Sequence, residues 1–257
     1  MPILLKNNKI ITAGGKILTR EATPFDLPNL KLYLSANRMA QLADGTAISN
    51  FLDYSGNNYH ATQATGSSQP LFKTSQFSSN AGIKFDGIDD RMDITGGALD
   101  ILKNVNQWTF QVLMKRNVVS ETVVPFSMYD NTSTTGKYRL VINYFAGDLQ
   151  MACLLLDSDT LKVVTFPSND TNGHLVQTTL NPTTGNMECY NDGLFVGSVF
   201  VGIGNTSNTS SGSIKIGYVN GPLYTKGSTN GVTLSTSYSN PATIQAQYRG
   251  YLQRGYL

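Results

Sequence analysis

The densest group of carboxylates in the chain lies in IKFDGIDDRMDI, residues 83–94. Asp86, Asp89 and Asp90 surround Gly87, and Asp93 follows closely. Acids at this spacing ligate a metal, form a catalytic acid pair, or close a tight turn between strands. Calcium takes about 6–8 oxygen ligands, and Asp86, Asp89, Asp90 and Asn57 could supply some of them. The turn reading rests on the neighbours. Phe85 ends a strand, Gly87 gives a permissive backbone, and Asp side chains readily bond turn amides. Arg91 follows at once and can neutralise an acid. The turn is the favoured reading and a calcium site the alternative.

Other chemistry is sparse. Glycoside hydrolysis by retention needs two carboxyls roughly 5 Å apart. The chain has only Glu21, Glu121 and Glu188, none near another. DSDT at 157–160 reads as a hairpin turn between apolar strands rather than as an acid pair. His60 and His174 are the only histidines, and no G-x-S-x-G elbow accompanies them. Both are expected to be structural. Two His and two Cys at none of the close spacings argue against zinc. Cys153 and Cys189 sit in apolar, strand-like runs. Buried thiols are expected there, a disulfide between them being the alternative.

These residues must be positioned by strands. With 257 residues, 24 glycines, 13 tyrosines and 11 phenylalanines, the composition suits many short strands joined by polar turns. The clearest period-two segment is WTFQVLMKR (108–116), where Trp108, Phe110, Val112 and Met114 share a face. Similar runs stand at 30–36, 137–145, 149–156, 161–166, 174–180, 187–191, 194–201 and 213–219. Asp192-Gly193 is a hairpin signal. The stretches 204–213 and 225–231 read as exposed loops, and a short helix is expected around 97–103. A closing helix follows Asn240, a cap, and Pro241, a first-turn residue. Ile244, Tyr248, Tyr251 and Leu252 fall on one face of it, and Gly255 can end it. The whole predicts an all-β antiparallel β-sandwich or jelly roll.

Residues 1–25 read as an extended arm, two short pieces about Gly14-Gly15, and residues 26–257 as the main domain, entered past Pro24 and Pro28. The net charge of +2 is scattered, which argues against nucleic acid. No run approaches the roughly 18 apolar residues of a membrane span. Lys6, Asn7, Asn8 and Lys9 interrupt the first apolar residues, so no secretory signal is read. Synthesis in a cytoplasm is the expectation.

Several blocks resemble the concanavalin A-like lectin/glucanase superfamily, and more narrowly its laminin-G-like jelly-roll domains. They are the D-x-S-G-N-x-x-H-A block (Asp53, Ser55, Gly56, Asn57, His60, Ala61) and the F-D-G-x-D-D block (Phe85, Asp86, Gly87, Asp89, Asp90). WTFQVLMKR, MECYNDGLFVGS, SIKIGY and the terminal IQAQYRGYLQRGYL are similar to later elements, so the resemblance covers roughly 28–257. It departs before the closing helix: NGVTLSTSYSN lacks the acid usual there. The glucanase branch reads E-x-D-x-x-E on one strand, and that motif is absent, so the protein is expected not to be an enzyme.

The resemblance implies a lectin-like module, with Tyr129, Tyr144, Tyr218 and Tyr224 candidates for sugar contact by type alone. It also implies calcium as the only candidate cofactor. A lectin-like domain without an export signal fits a bacteriophage virion structural protein: a capsid decoration, head fibre or tail-associated protein on the particle surface. Its expected partners are other virion proteins through residues 1–25, further copies of itself, and glycans, with no nucleic acid and no membrane. The alternatives are a bacterial carbohydrate-binding or adhesion module and a divergent polysaccharide-degrading enzyme.

Overall fold

The period-two segments pair as antiparallel strands. The computed structural model describes residues 4–6, 9–11, 17–19, 27–95, 101–102, 105–120, 122–130, 137–145, 148–154, 161–202, 213–219 and 223–255. In the N-terminal segment, β1 (Leu4–Lys6), β2 (Lys9–Ile11) and β3 (Ile17–Thr19) form a sheet of their own in that order. Three strands thus stand where two extended pieces were expected. Gly14 and Gly15 lie outside the described residues.

The first eight-stranded sheet contains β4 (Leu30–Ser35), β7 (Leu71–Phe77), β8 (Asn80–Lys84), β10 (Trp108–Arg116), β15 (His174–Leu180), β16 (Asn186–Asn191), β17 (Leu194–Phe200) and β21 (Gly227–Ser235). Its order is β17-β16-β15-β10-β21-β8-β7, with β4 also paired to β21. The second sheet contains β5 (Asn50–Phe51), β6 (Ala61–Thr62), β9 (Met92–Ile94), β11 (Val123–Asp130), β12 (Lys137–Phe145), β13 (Asp148–Leu154), β14 (Leu161–Pro167) and β18 (Ser213–Ile216). Its order is β14-β13-β12-β11-β18-β9-β6-β5. A small pair, β19 (Tyr218–Val219) and β20 (Leu223–Tyr224), follows β18.

The inner faces of the two sheets share one core. Trp108, Phe110, Val112 and Met114 of β10 are buried there with Phe126, Met128, Ile142 and Ile214 of the second sheet. The rings of Phe110 and Phe126 stand 4.4 Å apart across it. The chain is therefore an all-β antiparallel sandwich.

The other face of β10 is buried as well, because helix α1 (Pro241–Gln253) lies on it. Asn240 caps α1 by accepting from the Thr243 amide at 2.9 Å, Pro241 opens its first turn, and Gly255 follows it at φ +69°. Ile244 and Tyr251 are buried as expected. Leu252 is not; it is 42 % exposed. Gln247 is buried instead, meeting Gln111 of β10 and Gln177 of β15. The helix turns its amide inward because the sheet beneath presents amides there.

The largest departure from expectation is at 225–231. It is not an exposed loop: Gly227–Ser235 is the strand that joins β10 to β4 and β8. Its small polar side chains read as a loop because they carry no apolar pattern. They are buried nonetheless, with Thr229 donating to the Leu113 carbonyl at 2.9 Å and Asn230 to Ala81 at 2.7 Å. A Cβ on Gly227 or Gly231 would lie 2.5 Å from the Lys115 carbonyl and 2.4 Å from that of Leu34. Only glycine lets the neighbouring strands approach so closely.

The Asp192-Gly193 turn forms as expected, with φ of 51° and 73°. The expected helix at 97–103 and the loop at 204–213 fall almost wholly outside the described residues, as does DSDT at 157–160. The strands flanking DSDT pair with Leu154 opposite Leu161. Cys189 is buried beside Thr178, whose Oγ1 lies 3.5 Å from its Sγ. The side chains of Cys153, Tyr129 and Tyr144 lie outside the described set, so the disulfide expectation is not addressed.

Candidate functional site

The acidic stretch leaves β8 at Phe85, whose amide donates to the Gly227 carbonyl at 2.9 Å. It then closes on itself. Asp86 Oδ1 accepts from the amides of Ile88 at 2.8 Å and of Asp89 and Asp90 at 3.4 Å. Asp90 Oδ2 accepts from the Asp86 amide at 2.9 Å. Asp89 Oδ2 accepts from the Ser68 hydroxyl at 2.7 Å, and Arg91 Nη1 donates to the Asp89 carbonyl. These bonds are those of a carboxylate-stapled turn.

The same turn brings an oxygen from each of Asp86, Asp89 and Asp90 within 4.8 Å of one another. Asp90 is 5 % exposed. Its burial, then the charge of Asp86 and of Asp89, push its pKa up to about 6, against the pull of the Asp86 amide. A proton can therefore relieve the crowding as a cation would. The three carboxylates have the oxygen chemistry that calcium takes, and each already spends an oxygen inside the turn or on Ser68.

Asn57 does not join them. Its Nδ2 donates to the Lys31 carbonyl and to Ser55 Oγ, both at 3.0 Å. Leu30 stands opposite Ser235 and Lys84 opposite Ser228, so the two sites lie towards opposite ends of β21. Seven strand residues separate those pairs, roughly 23 Å. Asn57 belongs to a second staple. There Asp53 accepts from the Tyr33 and Ser55 amides at 2.9 Å, and His60 Nδ1 accepts from the Asp53 amide at 2.9 Å. His60 orders that loop.

Beside the acidic turn opens a cleft of about 480 Å³. Leu71 and Phe85 form its apolar wall, Lys73, Lys84, Lys226 and Asn117 supply polar groups, and Asp86 and Asp90 stand at one edge. The register explains the convergence. Leu71, Lys84, Ser228 and Lys115 stand side by side across β7, β8, β21 and β10. Residues directly opposite in a ladder share a face, and Ile83 and Met114, one position on, belong to the core. The cleft thus lies on the outer face of the first sheet. The stem of Lys226 lies over Gly87, where an added Cβ would come within 2.7 Å of it. Lys73 is committed to Asp44 at 2.9 Å.

On the other side of residues 85–93, Tyr218 and Tyr224 stack at 5.8 Å with 19° between their planes. Lys215 Nζ stands 4.4 Å and the Arg91 guanidinium 5.8 Å from the Tyr218 ring centroid. Lys215 Nζ and the Tyr218 hydroxyl both reach Asp93 Oδ1 at 3.2 Å. Burial leads the upward shift of the Tyr218 hydroxyl pKa, opposed by Lys215. Residue type alone singled out these two tyrosines; the structure makes them a pair.

His174 forms a third arrangement that the sequence did not reveal. Its Nδ1 lies 2.7 Å from Asp192 Oδ2 and its Nε2 2.9 Å from Asp170 Oδ1. Both nitrogens face carboxylates, an arrangement that favours the imidazolium, which donates from both. Burial alone would lower the imidazole pKa, but Asp192 and then Asp170 outweigh it, and the net shift is upward. Asp192 Oδ1 also accepts from the Leu175 amide, and Arg116 Nε donates to the Asp170 carbonyl, each at 2.9 Å. The clamp ties three chain segments.

The lysines of the cleft were also missed. Lys226 lay in a supposed loop and Lys84 in an apolar run; the available signal was a lysine on alternate positions of otherwise apolar or small strands. Glu188 is held by Tyr190, Tyr238 and Asn181, away from any second carboxylate in its hydrogen bonds. Among the described residues, no helix is long and apolar enough to cross a membrane.

No protein-family model and no curated protein sequence matches this chain. Solved structures do. A Trypanosoma rangeli sialidase aligns at 14 % identity and TM-score 0.57 over 93 % of this chain and 34 % of its own. The same enzyme in complex with sialic acid aligns at 13 % and 0.56, over 86 % of this chain and 32 % of its own. A Ruminococcus gnavus IT-sialidase CBM40, bound to α2,3-sialyllactose, aligns at 12 % and 0.53 over 64 % of this chain and 95 % of its own. The chain spans about a third of the length of the trypanosomal enzyme it matches. At such identities the likeness is one of fold, and the fold is a concanavalin A-like jelly-roll β-sandwich.

Proposed function

We propose that the chain is a non-enzymatic virion structural protein that displays a laminin-G-like, glycan-binding jelly roll on a particle surface. The observation that carries the binding half is the cleft: the exposed Leu71, backed by the buried Phe85, beside amine, amide and carboxylate groups, with the Tyr218–Tyr224 pair across the same segment. Sugars are bound by that combination of apolar faces and fixed polar groups. The sialidase-associated module aligned above carries a sialylated ligand, which supports the class of ligand without fixing it. Residues 1–25 serve as the anchor, and their strands pairing with one another rather than with either large sheet supports a separate role. Copies of the chain assemble symmetrically around that anchor, as is usual for repeated surface proteins. A cellular adhesion module is the rival host for the same cleft.

A glycan array reads the binding half directly, and silence across it defeats that half. Deletion of residues 1–25 reads the other: the truncated chain is expected to stay out of particles, and its incorporation would remove the anchor.

A second reading has one specific support. Asp90, with its raised pKa, and Asp86 border a cleft, as a pair of carboxyls does in glycosidases. Against it, Asp86 Oδ1 is turned to three amides of its own loop. Release of reducing sugar from a β-glucan, abolished in Asp90→Asn, would establish hydrolysis.

A further inference from the structure

We infer that β17 is a docking edge for a second copy of this chain, joined antiparallel so that the first sheet continues from one copy into the other. The inference stands apart from the glycan reading: β17 and the cleft-lining β7 end that sheet on opposite sides.

Within its sheet β17 pairs with β16 alone. An end strand presents a row of backbone donors and acceptors on its far side. Met187 and Cys189 of β16 belong to the core, and Val199 and Gly197 stand opposite them. Ser198 and Phe200, each one position on, therefore face outward. Phe195 stands opposite Tyr190, the outward neighbour of Cys189, with ring centroids 5.6 Å apart. Leu194, Phe195 and Phe200 are 68, 59 and 58 % exposed. Together they leave roughly 300 Å² of apolar surface in water, taking about 200 Å² for each aromatic side chain, which is the scale of an interaction patch.

The other end strands of the two large sheets are guarded. β7 carries Lys73, and the segment before it covers its edge: the Phe72 amide donates to the Thr46 carbonyl at 2.8 Å and the Thr74 amide to Asp44 at 3.0 Å. β14 carries Lys162 and Pro167, and β5 is two residues long. β17 reads LFVGSVF, with no charge and no proline.

That composition selects the occupant. A two-fold axis sets an edge against its own copy, so a lysine-bearing edge repels itself. β17 has no such charge. Its copy supplies both things the far side lacks, a row of amides and carbonyls and apolar rings beside them. The register shift between Cys189 and Tyr190 leaves Gly197–Phe200 as the regular stretch for pairing. One strand from each copy makes a small contact, below about 1,200 Å² in total, so the association is weak.

The test is sedimentation of the full chain at about 200 µM, read with amide hydrogen exchange there and after dilution to about 1 µM. The chain is expected to have about twice the mass of the double variant Ser198→Lys, Phe200→Lys, whose substitutions are at exposed positions and should keep the melting temperature. Ser198→Lys alone, which removes no apolar contact, should act in the same direction. Exchange at residues 194–200 should quicken at least fivefold on dilution. Equal masses for chain and double variant would overturn the inference. If both were single, the edge would be left to another protein's strand; if both were assembled, the contact would lie elsewhere. A mass difference without protection at residues 194–200 would deny the strand pairing.

Discussion

Asp86, Asp89 and Asp90 crowd together at the end of β8 and accept from backbone amides and the Ser68 hydroxyl, whereas Asp170 and Asp192 share His174 between them. Both groups sit at one end of the first sheet, to either side of Arg116, which pairs with Gly227 and donates to the Asp170 carbonyl. In the first, like charge is relieved by backbone amides and, below about pH 6, by a proton on Asp90. In the second, an imidazolium neutralises the acids and ties them to the chain. The difference teaches that carboxylate density alone is a poor guide to function. The dense group is self-satisfied and borders a cleft; the sparse one is the structural rivet.

The largest expected effect that tests this contrast is at the rivet. Asp192→Ala removes the His174 contact, the Leu175 amide bond and a side chain suited to positive φ. Its melting temperature at about pH 6 should drop by roughly 6–10 °C. A drop under about 2 °C would mean that the clamp holds little.

His174→Gln should cost roughly 3–6 °C at about pH 6 and less at about pH 9. The sign follows from linkage. The native pKa of His174 is raised, so its stabilisation is full below the unfolded value of about 6.5 and fades as pH climbs through the native one. Asp170, lowered in the native state chiefly by His174 against its own burial, adds stability that is lost only in acid. A variant penalty independent of pH would break the argument.

Asp90 behaves in reverse to an ordinary native carboxylate. Its native pKa of about 6 lies above the unfolded one, so its ionisation weakens the fold as pH rises from about 4 to 6. Asp90→Asn, which can still accept from the Asp86 amide, should raise the melting temperature by roughly 2–4 °C at about pH 8 and leave it unchanged at about pH 4. A fall at pH 8 would show that the charge is wanted, as by a cation.

The smallest expected effect concerns calcium itself. The turn is closed without it, so adding millimolar calcium or a chelator at neutral pH should move the melting temperature by less than about 1 °C. A rise of several degrees that Asp89→Asn abolishes would assign a cation to the three acids.

The contrast also marks what could be read in the sequence. The turn was legible because Asp, Gly and Asp act locally, through amides two to four residues away. The closing helix was legible for its cap and first turn for the same reason. Its buried face was legible only in part: Ile244 and Tyr251 are buried, but Gln247 displaced Leu252 because the partner surface is set by Gln111 and Gln177, far away in the chain. The His174 clamp spans Asp170 to Asp192 and depends on a hairpin register. The cleft lysines came from strands whose pairing no local pattern announces. β21 was hidden most thoroughly, since Gly, Ser and Asn are turn residues by propensity and become strand residues only when neighbours supply partners.

That strand also sets the order in which the molecule can be made. β21 follows every other strand of its sheet in the chain, yet it lies between β10 and the pair β4 and β8. Until it arrives, the early strands β4, β7 and β8 have no bridge to the rest of their sheet. The nascent chain must therefore hold unpaired edges until β21 emerges, and such edges attract other chains. A folding step limited by this late, long-range insertion is slow by its topology. In a cell making many copies at once, the abundance of soluble protein then depends on how fast nine small residues find their slot.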